Sequence, residues 1–308
     1  MPPPTSKPPT SKPPAAKPLV LPSFNKPSPV AARKAKTFST APWHDDAEGT
    51  KIVLYGKSGI GKTTLSAQIE NAVYIGLDDG GRKIKNPLTG KDIIHIPGIT
   101  SFEDIRDAIH QANLIPEDGT LVLDNLTKLE SFVEPYIFAN YTAGSRGERV
   151  TNMRKYGWDG PAHVLDVFRL LLTDLDALIR TGRNVVLLAQ LGQVTVANAE
   201  GADYLEDGPK LLHNKQYSVR TDVCEWADHV FRIGYQTMNT AMDSDKAKVA
   251  KITSDDTSRA VFTSGAQYFI AKTRPIGGKW LPPVVSFQAP NDNSLWTMVF
   301  DGGIPDAV

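Results

Sequence analysis

Cysteine is almost missing from this sequence: Cys224 stands alone in 308 residues. That excludes an intramolecular disulfide and a cysteine-cluster metal site, and it fits a reducing compartment. No apolar run approaches the roughly 20 residues that span a bilayer. The N-terminus carries lysines with no apolar segment behind them, so no secretory leader is read there. The six histidines are scattered and make no H-E-x-x-H spacing. A soluble cytoplasmic protein with no membrane partner is the expectation.

Acidic residues are missing from one region only. Residues 1–44 hold seven Lys or Arg and no Asp or Glu, so the remaining 27 basic residues face all 34 acidic ones, a net −7 for 45–308. The same stretch holds 12 of the 23 prolines, and Pro4–Pro9 (PTSKPP) repeats at once as Pro9–Pro14. Proline supplies no amide donor and like charges resist compaction, so 1–45 reads as a disordered Pro/Lys-rich tail and 46–308 as the folded domain. The tail is either a basic arm for nucleic acid or another acidic surface, or a solubilising linker.

What is present begins with Lys51–Tyr55, an apolar run leading into Gly56, Lys57, Ser58, Gly59, Ile60, Gly61, Lys62, Thr63 and Thr64, and then a helix-like stretch. Strand, G-x-x-x-x-G-K-T, helix is a phosphate-binding loop in the context that confirms it. The glycines let backbone amides turn toward phosphate oxygens, Lys62 reaches the outer phosphates, and the Thr63 hydroxyl can ligate Mg²⁺. The expected cofactors are ATP and Mg²⁺.

Apolar strand-like runs then alternate with helical ones. Strands are predicted at Ala72–Leu77, Ile93–Ile96, Thr120–Leu123 and Asn184–Ala189, and helices at Ser101–Ala112 and Pro161–Thr181. Such alternation predicts an α/β fold with a mostly parallel sheet covered by helices. Later runs, at Val230–Tyr235, Lys248–Thr253, Ala260–Thr263, Tyr268–Ala271, Val284–Phe287 and Leu295–Phe300, predict a C-terminal antiparallel strand extension.

Several polar residues close these strands. Asp124 ends one, with Asn125 rather than Glu behind it, and is the second candidate Mg²⁺ ligand beside Thr63. Asp78, preferred over Asp79, stands at another strand end as a candidate base for the attacking water; the alternative is a plain Asp-Asp-Gly-Gly turn. Gln190 can sense the γ-phosphate from its strand end. Lys272 and Arg274 project from one side of an extended segment, toward solvent or toward a neighbouring subunit's phosphate. Residues 141–160 interleave Arg146, Arg149, Arg154 and Lys155 with Tyr141, Tyr156 and Trp158. Cations for a backbone and rings for bases are what single-stranded nucleic acid asks for; the alternative is that the rings pack and the cations are solvated.

In this order the segments resemble the RecA-type recombinase ATPase core over residues 50–275, in particular the compact phage-encoded RecA-like ATPases that assist single-strand annealing and recombination. The resemblance implies a RecA-like P-loop NTPase core and a DNA-dependent ATPase in the bacterial host cytoplasm. ATP would sit between subunits of a homo-oligomeric ring or filament that binds single-stranded DNA, with a single-strand-binding protein as a further partner. It implies Asp78 as the base, Asp124 on the metal, Gln190 as the γ-phosphate sensor, and Lys272 and Arg274 as a pair acting in trans. It also makes Phe38–Ala41 a match to the Phe-x-x-Ala plug between neighbours. Two departures stand out. Asp78 replaces the usual Glu, one methylene longer, and the stretch after Gln190 meets Glu200, Asp203, Glu206 and Asp207 before any cation. An ATP-switched DNA-binding module with little hydrolysis and a P-loop kinase are the alternatives.

Overall fold

A computed structural model of the chain describes residues 39–40, 48–144, 147–198, 201–236, 258–287 and 289–303. Every element named below belongs to the second of two compact units, His44–Val308. The Pro/Lys-rich tail, save Ser39 and Thr40, lies outside the described residues, as do Phe38 of the plug and the run at 248–253.

The apolar runs become the expected strands because each is buried on both faces. β1 (Lys51–Gly56), β2 (Ala72–Gly76), β3 (Ile94–His95), β4 (Thr120–Asp124) and the first half of β5 (Asn184–Val196) run parallel. The sheet continues through β7 (His229–Tyr235), β8 (Arg259–Phe262) and β9 (Val284–Phe287), giving the order β3-β2-β4-β5-β1-β7-β8-β9. β6 (Tyr204–Pro209) pairs with β5, off this path. β5 therefore separates β1 from β4, so residues of all three meet at one sheet end. The result is the expected mostly parallel sheet with an antiparallel C-terminal edge.

Period-two alternation divides the core. Val53, Tyr55, Ile75, Leu121, Leu123, Val185 and Leu187 face α2 (Phe102–His110), α3 (Leu126–Asn140), α4 (Asp159–Ile179) and α5 (Val219–Trp226). Ile52, Leu54, Tyr74, Val122, Val186 and Leu188 face α1 (Lys62–Ser66) and α6 (Ser294–Phe300). The expected start of α2 is a full capping box: Asp104 N–H donates to Ser101 Oγ, and the Asp104 carboxylate accepts from Ser101 N–H.

Four expectations are corrected. Val230–Tyr235 belongs to a strand parallel to β1, because α5 supplies the crossover that a parallel neighbour needs. The antiparallel part begins at β8. Leu295–Phe300 is helix: Leu295, Trp296 and Val299 fall on one helical face against α1. Tyr268–Ala271 is not a strand: Tyr268 lies in a turn, and Phe269 makes only isolated bridges, to Asp207 and Ala266. The strand expected to stop at Ala189 runs on to Val196, because Leu191–Val196 pairs antiparallel with β6 in a hairpin.

Candidate functional site

Gly56 ends β1, and the loop it opens folds over the sheet end. Gly59 and Gly61 have φ of 75° and 107°, the left-handed region where a Cβ is strained. Lys57, Ser58 and Gly59 are exposed, Ile60 is buried beneath them, and Thr63 and Thr64 are half-buried at the start of α1. Lys62 is only 6% exposed. Its Nζ donates to Gly56 O at 3.1 Å, Lys57 O at 3.0 Å and Gln190 Oε1 at 3.5 Å. Burial pushes its pKa below the usual lysine value, while Asp124 and Asp78 act the other way.

The strand ends bring the remaining candidates to the same place. Thr63 Oγ1 donates to Asp124 Oδ2 at 2.7 Å. A hydroxyl and a carboxylate side by side are the hard oxygen donors that Mg²⁺ takes, so Thr63 and Asp124 fit that ion. Asp124 is 7% exposed, and burial raises its pKa against the opposing bond from Thr63. Asp78 is exposed at the end of β2. Its Oδ1 accepts from Gly80 N–H at 2.9 Å and its Oδ2 from Asn125 Nδ2 at 2.7 Å. A cavity of 790 Å³ opens beyond the two carboxylates, with Arg82, Lys128 and Phe132 in its walls.

Asn125 is the residue that sequence reasoning passed over. Its Oδ1 caps α3 by accepting from Lys128 N–H at 2.9 Å while its Nδ2 holds Asp78. One side chain thus fixes the helix start and orients the candidate base. The signal was present: an N-cap residue directly after the strand-ending aspartate.

Gln190 stands where β5 leaves the parallel sheet and enters the hairpin, opposite Gly56. Its backbone N–H donates to Thr127 Oγ1 at 3.1 Å, Thr127 Oγ1 donates to Lys210 O at 3.1 Å, and Lys210 N–H donates back to Gln190 O at 2.7 Å. The phosphate loop, α3 and both ends of the hairpin therefore meet at one residue.

Lys272 and Arg274 are not brought to this place. Lys272 pairs with Val230, opposite Val53 in the middle of β1, and the Arg274 partner Asp228 donates its N–H to Lys51 O at the entry end of β1, away from the loop at its exit. Lys272 Nζ donates to Cys224 O at 2.7 Å and Glu225 O at 3.1 Å, capping α5, and Arg274 Nη1 lies 3.1 Å from Asp228 Oδ1. Of the basic segment, Arg149, Arg154 and Lys155 are exposed, and Arg146 lies outside the described residues. Tyr156 is corrected: at 5% exposure it is part of the core, its hydroxyl donating to Ile137 O and Tyr141 O at 3.3 and 3.1 Å, so it offers no face to a base. Trp158, two residues on, is 87% exposed.

A family model described as AAA domain matches residues 48–275. No curated protein matches the chain. Among solved structures, a KaiC-like protein from the hyperthermophilic archaeon Pyrococcus horikoshii OT3 is similar at 17% identity, covering 79% of this chain and 88% of that one, with a TM-score of 0.40. The RadB recombinase is 14% identical over 70% and 80% of the two chains, with a TM-score of 0.37. The flagellar accessory protein FlaH from Methanocaldococcus jannaschii is 10% identical over 79% and 86%, with a TM-score of 0.41. These likenesses are remote.

Proposed function

We propose, from the premise that this chain belongs to the AAA domain family and is a P-loop ATPase, that it hydrolyses Mg-ATP while acting on single-stranded DNA in recombination or annealing. The observation that carries this reading is Gln190. It touches Lys62 on one side and roots the hairpin Leu191–Pro209 on the other, so occupancy of the γ-phosphate position and the set of the hairpin are mechanically linked. Exposed Arg149, Arg154, Lys155 and Trp158 support a single-stranded partner: cations for phosphates and a free indole for a base.

The roles follow from position. Loop amides and Lys62 hold the triphosphate; Thr63 and Asp124 hold Mg²⁺, which when bound neutralises phosphate charge. Asp78, held by Asn125, accepts the proton of the attacking water. Because Lys272 and Arg274 lie away from the loop of their own chain, they reach a γ-phosphate only in a neighbour. The reading therefore includes a homo-oligomer, ring or filament, with ATP at the subunit boundary and a single-strand-binding protein as a further partner. A second reading, the ATP-switched DNA-binding module, is favoured by one observation. Both Asp78 oxygens already accept a hydrogen bond, from Gly80 N–H and Asn125 Nδ2, which leaves fewer lone pairs to hold the attacking water.

The test is Mg-ATP hydrolysis with and without single-stranded DNA, with Lys62→Ala as the blank. DNA-stimulated turnover absent from that variant is expected, together with a loss of roughly tenfold or more in DNA affinity for Trp158→Ala. ATP-dependent DNA binding without turnover would select the module. Phosphate appearing on an acceptor other than water would select a kinase.

A further inference from the structure

We infer that Arg259, on the antiparallel edge of the sheet, is a positioning residue of the phosphate loop in its own chain. The inference rests on the P-loop nucleotide reading above. α1 has five residues, too few to hold a helix by hydrogen bonding alone. Both of its ends are secured by the C-terminal extension. At the far end, Trp296 Nε1 donates to Leu65 O at 2.7 Å and Gln68 Nε2 donates to Pro290 O. At the loop end, Arg259 Nη1 donates to Ile60 O at 3.1 Å, across 199 residues of sequence.

The approach is close. A Cβ on Gly61 would stand 2.6 Å from that same Nη1 and meets no other residue, so the loop fits against this guanidinium. The guanidinium is placed by the sheet: Arg259 lies opposite Tyr235 on β7 and Phe287 on β9, and its Cζ sits 5.7 Å from the Phe287 ring centre. Among the described residues no carboxylate pairs with it. A half-buried cation with no acidic partner among the described residues, laid against a loop whose amides gather phosphate oxygens, is where an anionic ligand would bring the missing charge. Holding the Ile60 carbonyl outward also keeps the following amides turned inward. The ligand class is the di- or triphosphate of a nucleotide; a nucleoside without the outer phosphates gains nothing from this residue.

Titration calorimetry of the full chain with ATP, ADP and AMP tests it, on wild type, Arg259→Met, Arg259→Gln and Arg259→Lys, with melting of the ligand-free proteins alongside. The neutral variants are expected to bind ATP and ADP at least ~10-fold more weakly with AMP unchanged, and Arg259→Lys to regain most of the loss. If Arg259→Met does not fold, Arg259→Gln carries the comparison. A folded neutral variant that binds ATP as wild type does, or that loses all three ligands equally, overturns the proposal. Wild type failing to bind ATP overturns the nucleotide reading instead.

Discussion

Asp124 shows how a single residue can serve the site at a cost to the fold. Its carboxylate is buried, and burial raises its folded pKa above the unfolded value. A raised pKa means the favourable contribution is present at pH below the unfolded value and fades as pH rises through the folded one. At neutral pH the ligand-free chain therefore bears a desolvated anion that Lys62 and the Thr63 and Asn125 side chains offset. Asp124→Asn keeps an acceptor for Thr63 and removes the charge. The expected outcome is a ligand-free protein stabilised by about 1 kcal/mol, or ~2–4 °C in melting midpoint, and flatter in stability as pH rises, with Mg-ATP turnover reduced at least ~100-fold. Melting curves from pH 5 to 8 and a turnover assay decide it. A lower midpoint in the variant would contradict the argument.

At the scale of elements, β5 is two strands in one. Asn184–Gln190 belongs to the parallel sheet and Leu191–Val196 to the hairpin with β6. The hairpin root is fixed by Asp207. Its Oδ2 accepts from Arg232 Nη2 at 2.9 Å, its Oδ1 from Gln193 Nε2 at 2.8 Å, and its main-chain N–H donates to Tyr268 O. Arg232 also lies 5.3 Å from the Phe262 ring centre and 4.9 Å from that of Phe269, packed between apolar faces. Removing the acid strands a largely buried cation, which costs about 3 kcal/mol. Asp207→Ala is expected to lower stability by that amount in urea titration, and Asp207→Ala with Arg232→Met by clearly less. Equal losses in the two would mean that the pair contributes nothing as a pair.

For the whole molecule, acid stability depends on a group far from the loop. His229 is 2% exposed at the entry end of β7, with its Nδ1 2.6 Å from Thr273 Oγ1 and its ring against Phe231. Burial pushes its pKa down to about 4; Arg274 and Lys272 add to this, while Asp228 opposes it. A lowered pKa gives stability that is complete above the unfolded value of 6.5 and is lost as pH falls toward the folded one. The unfolding free energy is expected to fall between about pH 6.5 and 4 by on the order of 3 kcal/mol, and His229→Gln to flatten that slope. Asp124 contributes in the opposite sense, so the measured profile is the sum, and the variant isolates the histidine. An unchanged acid slope in His229→Gln would remove it as the cause.

Some of this was fixed by sequence alone, because a contiguous motif sets its own backbone. Gly56–Thr64, the strand-ending Asp124 and Asp78, and the alternation that forces a buried parallel sheet were all legible. Their chemistry depends on local spacing and on apolar runs. Tertiary structure decided what depends on partners distant in sequence. Tyr156 and Trp158 look alike in a basic segment, yet packing beneath α3 buries one and leaves the other open. Val230–Tyr235 reads as a short strand of either direction until α5 carries the chain across. Leu295–Phe300 is apolar enough for a strand, and contact with α1 makes it a helix. The grip of Arg259 on Ile60 has no local signature, because only the sheet order β1-β7-β8 brings residue 259 beside residue 60.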